Sequence, residues 1–199
     1  MEKGKQTESL QCERLQGWAV HEEESSELAS ALIVEACLRH GVDSEKLILH
    51  SDNGGPMKGA TMLATLQWLG IVASFSRPAV SDDNAYSEAL FKTLKYRPEY
   101  PSTAFKGVDE ARQWVGGFVQ WYNFEHRHSG IRFVTPSSKH YGEDTGILER
   151  RKEVYEEAKQ RNPIRWASGK TRNWDPITEV YLNPSKHKEE TALCERRSA

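Results

Sequence analysis

Leu47-Ile48-Leu49-His50-Ser51-Asp52-Asn53-Gly54-Gly55 and, further on, Asp82-Asp83-Asn84-Ala85-Tyr86-Ser87-Glu88-Ala89-Leu90-Phe91-Lys92-Thr93-Leu94-Lys95 are the stretches that decide the fold of this chain. The first is a short apolar run stopped by a Gly-rich turn, the pattern of a buried strand. The second opens on an Asp/Asn start signal and continues as a helix. Asp52 therefore belongs to the C-terminal end of a strand and Glu88 to the first turns of a helix. In an open α/β sheet, ligands bind at that end of the strands.

Two carboxylates on different elements, facing one crevice, suit a hard divalent cation. Mg²⁺ takes oxygen ligands, often only one or two protein carboxylates together with water and substrate phosphate. Two such ions about 4 Å apart clamp the attacking and leaving oxygens of a phosphoryl transfer. Glu88, Lys92 and Lys95 follow one another at i, i+4 and i+7 and share one helix face. That face offers a metal ligand and two cations for phosphate oxygens. The same residues also fit a solvated turn aspartate and a surface Glu–Lys pair.

Thirty-five residues lie between Asp52 and Glu88, and Lys95 comes seven after Glu88. Around them stand His50-Ser51-Asp52-Asn53-Gly54, Ser76-Arg77-Pro78 and Asp83-Asn84. Further on come Trp121-Tyr122-Asn123, His126-Arg127-His128-Ser129-Gly130-Ile131 and Val134-Thr135-Pro136. In this order the motifs resemble insertion-sequence transposases of the retroviral-integrase-like DDE group, in the branch whose catalytic half is the second reading frame. The resemblance runs from about Gly17 to Pro184. It implies an α/β, RNase H-like fold: a mixed sheet flanked by helices, with a small C-terminal appendage. It also implies metal-dependent phosphoryl transfer on DNA, with Asp52 and Glu88 as catalytic residues and ligands of Mg²⁺ or Mn²⁺. Lys92, Lys95, Arg77 and Arg127 would contact DNA. The implied partners are transposon-end and target DNA, a first-frame helper protein or full-length transposase, and further copies of the chain. The implied location is the bacterial cytoplasm, on the nucleoid when DNA is bound.

The resemblance also implies a further catalytic Asp in the first strand, well upstream of Asp52. The first aspartate here is Asp43, nine residues before Asp52. The expectation is a sheet without its first two strands, weakly held metal, and an N-terminally truncated catalytic frame behind a foreign start. An inactive relic that at most binds DNA or a full-length transposase is the second reading. The acid upstream of Asp52 discriminates the two.

The 199 residues suffice for one domain with a core plus an appendage. Charged residues are 28% and mean hydropathy is −0.72, and no apolar run approaches a membrane span. Met1 to Gly17 lacks the apolar segment of a signal peptide. Cys12, Cys37 and Cys194 lie far apart, against a zinc site or a disulfide framework. Net charge is −2, but residues 149–173 hold eight Lys/Arg against four Glu, a local excess of +4. Phosphate affinity comes from such local clusters, so the near-neutral total is compatible with nucleic-acid binding.

The domain organisation expected is a disordered or foreign leader over 1–16, an integrase-like core over 17–141, a helix with a basic and aromatic appendage over 142–185, and a loose tail over 186–199. Trp18-Ala19-Val20 ends a strand. A helix runs from Glu22 to Leu38 with Glu22, Glu23 and Glu24 at its start. Another runs from Lys58 to Leu69 with Met62, Leu63, Leu66 and Leu69 inward and Gly70 as its cap. Ile71 to Ser76 is a strand, and Arg77 to Asp83 a loop. A helix over Asp109 to His126 puts Trp114, Val115, Phe118, Val119 and Tyr122 in the core rather than against bases. His126 and His128 are read as surface residues, with a contact to DNA near the active site as the alternative. A short helix starts at Pro136, and a long charged one runs from Glu143 to Arg161. Trp166, Lys170, Arg172, Trp174 and Tyr181 suit either nucleic-acid contacts or a small β-rich appendage.

Overall fold

Ser25 starts the first helix. In the computed structural model, which describes residues 13–41, 47–78, 81–166 and 169–177, its backbone is extended and its hydroxyl accepts the Leu28 N–H at 3.1 Å. This satisfies one of the donors left open in a helix's first turn. Helix α1 (Ser26–His40) follows and ends at Gly41, whose left-handed φ of 56° suits a residue without Cβ. The helix expected from Glu22 thus begins four residues later. Glu22, Glu23 and Glu24 precede the cap, and Glu27 is the acid of the first turn.

Strand β1 (Ile48–Ser51) and strand β2 (Val72–Phe75) are parallel neighbours, registered from Ile48↔Val72 to Ser51↔Phe75. Their adjacency is as expected. Between them, α2 (Gly55–Lys58) and α3 (Ala60–Leu69) are separated by Gly59, whose ψ of 149° breaks the single helix expected from Lys58. Gly70, at φ 74°, closes α3 by donating to the Gln67 and Leu66 carbonyls. Met62, Leu66 and Ile71 form a core with Ile33 and Cys37 of α1 and with Leu49 and Ala73 of the sheet. Leu49 and Ala73 are register partners, so one sheet face is covered by α1 and α3. Ile48 and Val72, on the opposite face, stay 42% and 57% exposed. Leu63, expected inward, is also exposed. It falls outside the Met62–Leu66–Leu69 stripe, whose spacing of four and three keeps one helix face.

Two expectations about this sheet are corrected. Among the described residues it holds only two parallel strands, so the mixed sheet is not formed there. Trp18-Ala19-Val20 makes no strand. Its contacts lie outside a ladder: the Val20 carbonyl accepts Arg112 Nε–H at 3.1 Å, and the Trp18 ring lies against Gly116.

A 3₁₀ turn (Ser81–Asn84) leads into α4 (Ala85–Lys95), and α5 (Val108–Phe124) follows. In α5, Phe118, Val119 and Tyr122 are buried, while Trp114 and Val115 are half-buried. Trp114 stacks on Phe118, meets Tyr100 edge-on at 5.2 Å and donates Nε1–H to the Glu99 carbonyl. These aromatics are packing, as expected.

The chain divides into two compact units, Gln16–Phe118 and Met1–Leu15 with Val119–Ala199. In the second, a 3₁₀ turn (Ser129–Ile131), α6 (Pro136–His140) and α7 (Asp144–Arg161) surround Ile131, Val134, Leu148 and Trp174. Thr135 caps α6 by accepting the Ser138 N–H. Trp174 is therefore structural, but residues 169–177 contain no strand, so the appendage is not β-rich there. The end of the expected loose leader is tied down as well. The Asn123 amide accepts the Leu15 N–H at 2.9 Å and donates to the Leu15 carbonyl at 3.1 Å. Cys12, Tyr181, Cys194, the rest of the leader and the tail beyond Lys186 lie outside the described residues.

Candidate metal and nucleic-acid site

Asp52 follows β1 directly, and Glu88 occupies the first turn of α4. Both belong to the Gln16–Phe118 unit, and both are exposed. The Asp52 carboxylate folds over its own turn, with Oδ1 accepting the Gly54 N–H at 3.0 Å. A Cβ at Gly54 would sit 3.0 Å from that oxygen, so a side chain there would push the carboxylate aside. Lys92 and Lys95 are exposed on α4, in its last turn, where cations complement the helix dipole.

Behind Asp52 lies a hydrogen-bonded network that the sequence did not reveal. His50 and Ser74 are register partners, and His50 Nδ1 is 3.0 Å from Ser74 Oγ. His50 Nε2 is 2.9 Å from the Asp83 carbonyl oxygen. A carbonyl only accepts, so the proton is assigned to Nε2, and Nδ1 accepts from the Ser74 hydroxyl. Ser76 donates Oγ–H to the Ser51 carbonyl, and Asn53 donates to the Ser76 carbonyl at 2.7 Å. The Asp83 side chain is buried and gripped by Arg77: Oδ2 accepts the Arg77 backbone N–H at 2.8 Å and Nε–H at 2.9 Å, and Oδ1 accepts Nη2–H at 2.8 Å. These bonds hold the Asp83 carboxyl well below the usual carboxylate range and raise the Arg77 guanidinium. Arg77, expected at DNA, is thus engaged within its own loop. Position in the strand was the available signal for His50: residue 50 pairs with a serine two before Asp52. Asp83 was legible only as a helix-start residue.

Arg127 belongs to the other unit. It lines a cavity of about 560 Å³ with Glu143, Arg150, Arg151 and Tyr155. Its neighbours His126 and His128 are half-buried rather than on the surface as expected. His126 packs on Trp121 and Tyr122, with ring centroids 4.8 and 5.3 Å away. Burial pushes the His128 pKa down, and its Nδ1 accepts the Gly130 N–H at 3.2 Å, a bond that protonation at Nδ1 would break. Burial, with Glu13 nearby, pushes the Tyr122 hydroxyl up to about 12. Arg132 and Phe133 both hold left-handed backbone, φ 62° and 59°. Arg151 stabilises them by donating to both of their carbonyls, at 2.8 and 3.0 Å, while lying over the Trp174 ring. Burial, then the neighbouring Arg127 charge, lowers the Arg151 pKa.

The donor set limits what metal could be held. Among the described residues, no three His, Cys, Asp or Glu side chains are grouped to bind an ion. Asp52 and Glu88 are two carboxylates, a donor type that Mg²⁺ uses together with water and phosphate oxygens. No helix of the described residues is long and apolar enough to cross a membrane.

Residues 69–136 match an integrase core domain, and this span includes Arg77, Glu88, Lys92, Lys95 and Arg127 but not Asp52. The chain is 28% identical over 124 residues to a transposase for insertion sequence element IS904 of Lactococcus lactis subsp. lactis, covering 62% of this chain and 48% of that protein. It is 30% identical over 98 residues to an insertion element IS136 uncharacterized protein of Agrobacterium fabrum, covering 49% and 50%. A Lactococcus lactis subsp. lactis protein described as an ATP-dependent protease is 30% identical over 103 residues, covering 51% and 33%. That description finds no nucleotide-binding loop to attach to here: the Gly169-Lys170-Thr171 triplet has Ile164 where such a loop needs its first glycine. The chain spans between a third and a half of the length of these relatives. Residues 69–136 are thus similar to an integrase core domain, and the chain is similar to proteins of insertion-sequence elements, a transposase among them.

Proposed function

We propose that this chain is the second-frame, RNase H-like part of an insertion-sequence transposase. In this reading it binds transposon-end DNA, and Asp52 and Glu88 share a divalent ion, Mg²⁺ or Mn²⁺. One observation carries the reading. Asp52 closes β1 and Glu88 opens α4, in one compact unit whose two strands run parallel. Carboxylates at a strand end and a helix start are how an α/β scaffold presents ligands to one crevice. A bound ion would polarise a phosphoryl oxygen and acidify its water. The protein's own share is positional. The Gly54 N–H orients Asp52, while Lys92 and Lys95 offer charge to phosphate oxygens along the helix that begins with Glu88. Arg127 belongs to this reading as a DNA contact from the other unit. Arg77 gives Nε–H and one Nη2–H to Asp83, which leaves its other guanidinium donors for phosphate. A first-frame helper, a full-length transposase or further copies of the chain would complete the working assembly.

A second reading, DNA binding without strand joining by this chain alone, is favoured by the donor set. Two-metal phosphoryl transfer holds two ions roughly 3.5–4 Å apart, and no described group of three donors exists to bridge them. One assay separates the readings: strand transfer by the purified chain with matching transposon ends in Mg²⁺ or Mn²⁺. The expected result is joining no greater than that of a Glu88→Ala control. DNA binding should fall steeply with salt, as phosphate contacts do. Joining that is lost in both Asp52→Ala and Glu88→Ala would show that the chain suffices for the reaction.

A further inference from the structure

We propose that Asp83, clamped by Arg77 and joined through its carbonyl to His50, is the positioning residue that holds the Glu88 helix against the end of the Asp52 strand. The inference rests on the reading of Asp52 and Glu88 as one site, but its geometry stands on different residues.

Helix α4 has no fully buried residue to hold it by an apolar face, and Tyr86 and Phe91 are exposed. It is 11 residues long, below the roughly 12–15 residues that an isolated helix needs to persist in water. Asn84 stands at its N-cap position without a side-chain capping bond. The 3₁₀ turn Ser81–Asn84 leads directly into the helix. That turn is where Asp83 lies, five residues before Glu88. The turn is anchored on two sides. Arg77, just past β2, gives the Asp83 carboxylate three hydrogen bonds of 2.8, 2.9 and 2.8 Å. His50, on β1 and two residues before Asp52, meets the Asp83 carbonyl at 2.9 Å. One residue therefore joins both strands to the start of the helix. Ser74 and Ser76 steady the His50 ring from the β2 side, at 3.0 and 3.4 Å.

A polar anchor of this kind is specific where an apolar one is not. A bidentate guanidinium–carboxylate pair fixes distance and plane together, so the first turn of α4 has one position relative to β1. A slip of the turn would break up to four bonds at once and leave the buried Asp83 carboxylate without partners.

The test uses the full chain and two readouts. Hydrogen exchange is measured peptide by peptide for wild type, Asp83→Asn, Arg77→Gln, Arg77→Lys and Glu88→Gln, and Mn²⁺ binding is titrated for each. In Asp83→Asn and Arg77→Gln, α4 amides should exchange about tenfold faster as the helix undocks and frays, while α1 and α3 amides keep their wild-type rates. Mn²⁺ affinity should fall in the same variants. Arg77→Lys keeps the charge but not the fork and should lie between. Glu88→Gln should lose Mn²⁺ binding with α4 exchange unchanged. Unaltered α4 exchange in both Asp83→Asn and Arg77→Gln overturns the inference. So does equal acceleration of α1 and α3, which would make the pair a general structural one. If wild type binds no Mn²⁺, the metal-site reading fails, while the exchange result still decides the anchor.

Discussion

Four side chains in three places carry more than their surroundings show, and each place has a measurable consequence. Lys139 and Asp144 pair at 2.7 Å with both side chains nearly buried. Removing one partner leaves a buried charge, so Lys139→Met should cost about 3–5 kcal/mol in urea unfolding, and a second change, Asp144→Leu, should recover much of it. Asp83 makes a pH prediction. Its folded pKa lies below its unfolded value, chiefly through the Arg77 hydrogen bond. Its contribution to stability is therefore fully present above the unfolded pKa of about 3.9 and is lost as pH falls through the folded value. Calorimetric Tm values of wild type and Asp83→Asn should differ at pH 6 and converge in strong acid; a gap that stays constant with pH would contradict the pairing. Arg151 bonds two carbonyls of a loop held in left-handed backbone. Arg151→Met removes two charge-assisted bonds, each worth about 1.5–3 kcal/mol, and should destabilise the Val119–Ala199 unit accordingly.

Packing at the level of elements follows from patterns that were mostly legible. Met62, Leu66 and Leu69 declare α3 by their spacing, and Met62 is fully buried. Met62→Ala should cost about 2–5 kcal/mol, whereas Leu63→Ala on the exposed side should be nearly neutral, and chemical denaturation compares the two directly. Both strands were readable because each is a short apolar run ended by polar residues. The elements misjudged were those decided by one local bond or one absent neighbour. Glu22–Glu24 look like a helix start, but the Ser25 hydroxyl takes that place. Trp18-Ala19-Val20 has strand composition, yet a strand requires a ladder partner, and its carbonyl goes to Arg112 instead. Gly59, with its extended ψ, starts α3 at Ala60, two residues after the expected Lys58. In the candidate site, Asp52 and Glu88 could be placed from the chain order of strand and helix. The His50–Asp83–Arg77 network could not, because it depends on the register between β1 and β2 and on how a loop folds back.

At the scale of the whole molecule, the proposed reading draws on residues of both compact units. The Gln16–Phe118 unit carries the Asp52–Glu88 pair with Lys92 and Lys95, and the other carries Arg127. Net charge is only −2, so the DNA binding proposed for this chain would have to draw on such local cations. Lys92→Ala combined with Lys95→Ala should weaken binding to any DNA sequence alike and flatten its dependence on salt concentration, which filter-binding titrations would record. The most direct measurement of the central claim is calorimetric titration of Mn²⁺ into wild type, Asp52→Ala, Glu88→Ala and the double variant. One weak site is expected in the wild type, lost in either single variant, with no further loss in the double variant, because both carboxylates would hold the same ion. Undiminished binding in either single variant, or separate sites lost one by one, would contradict it.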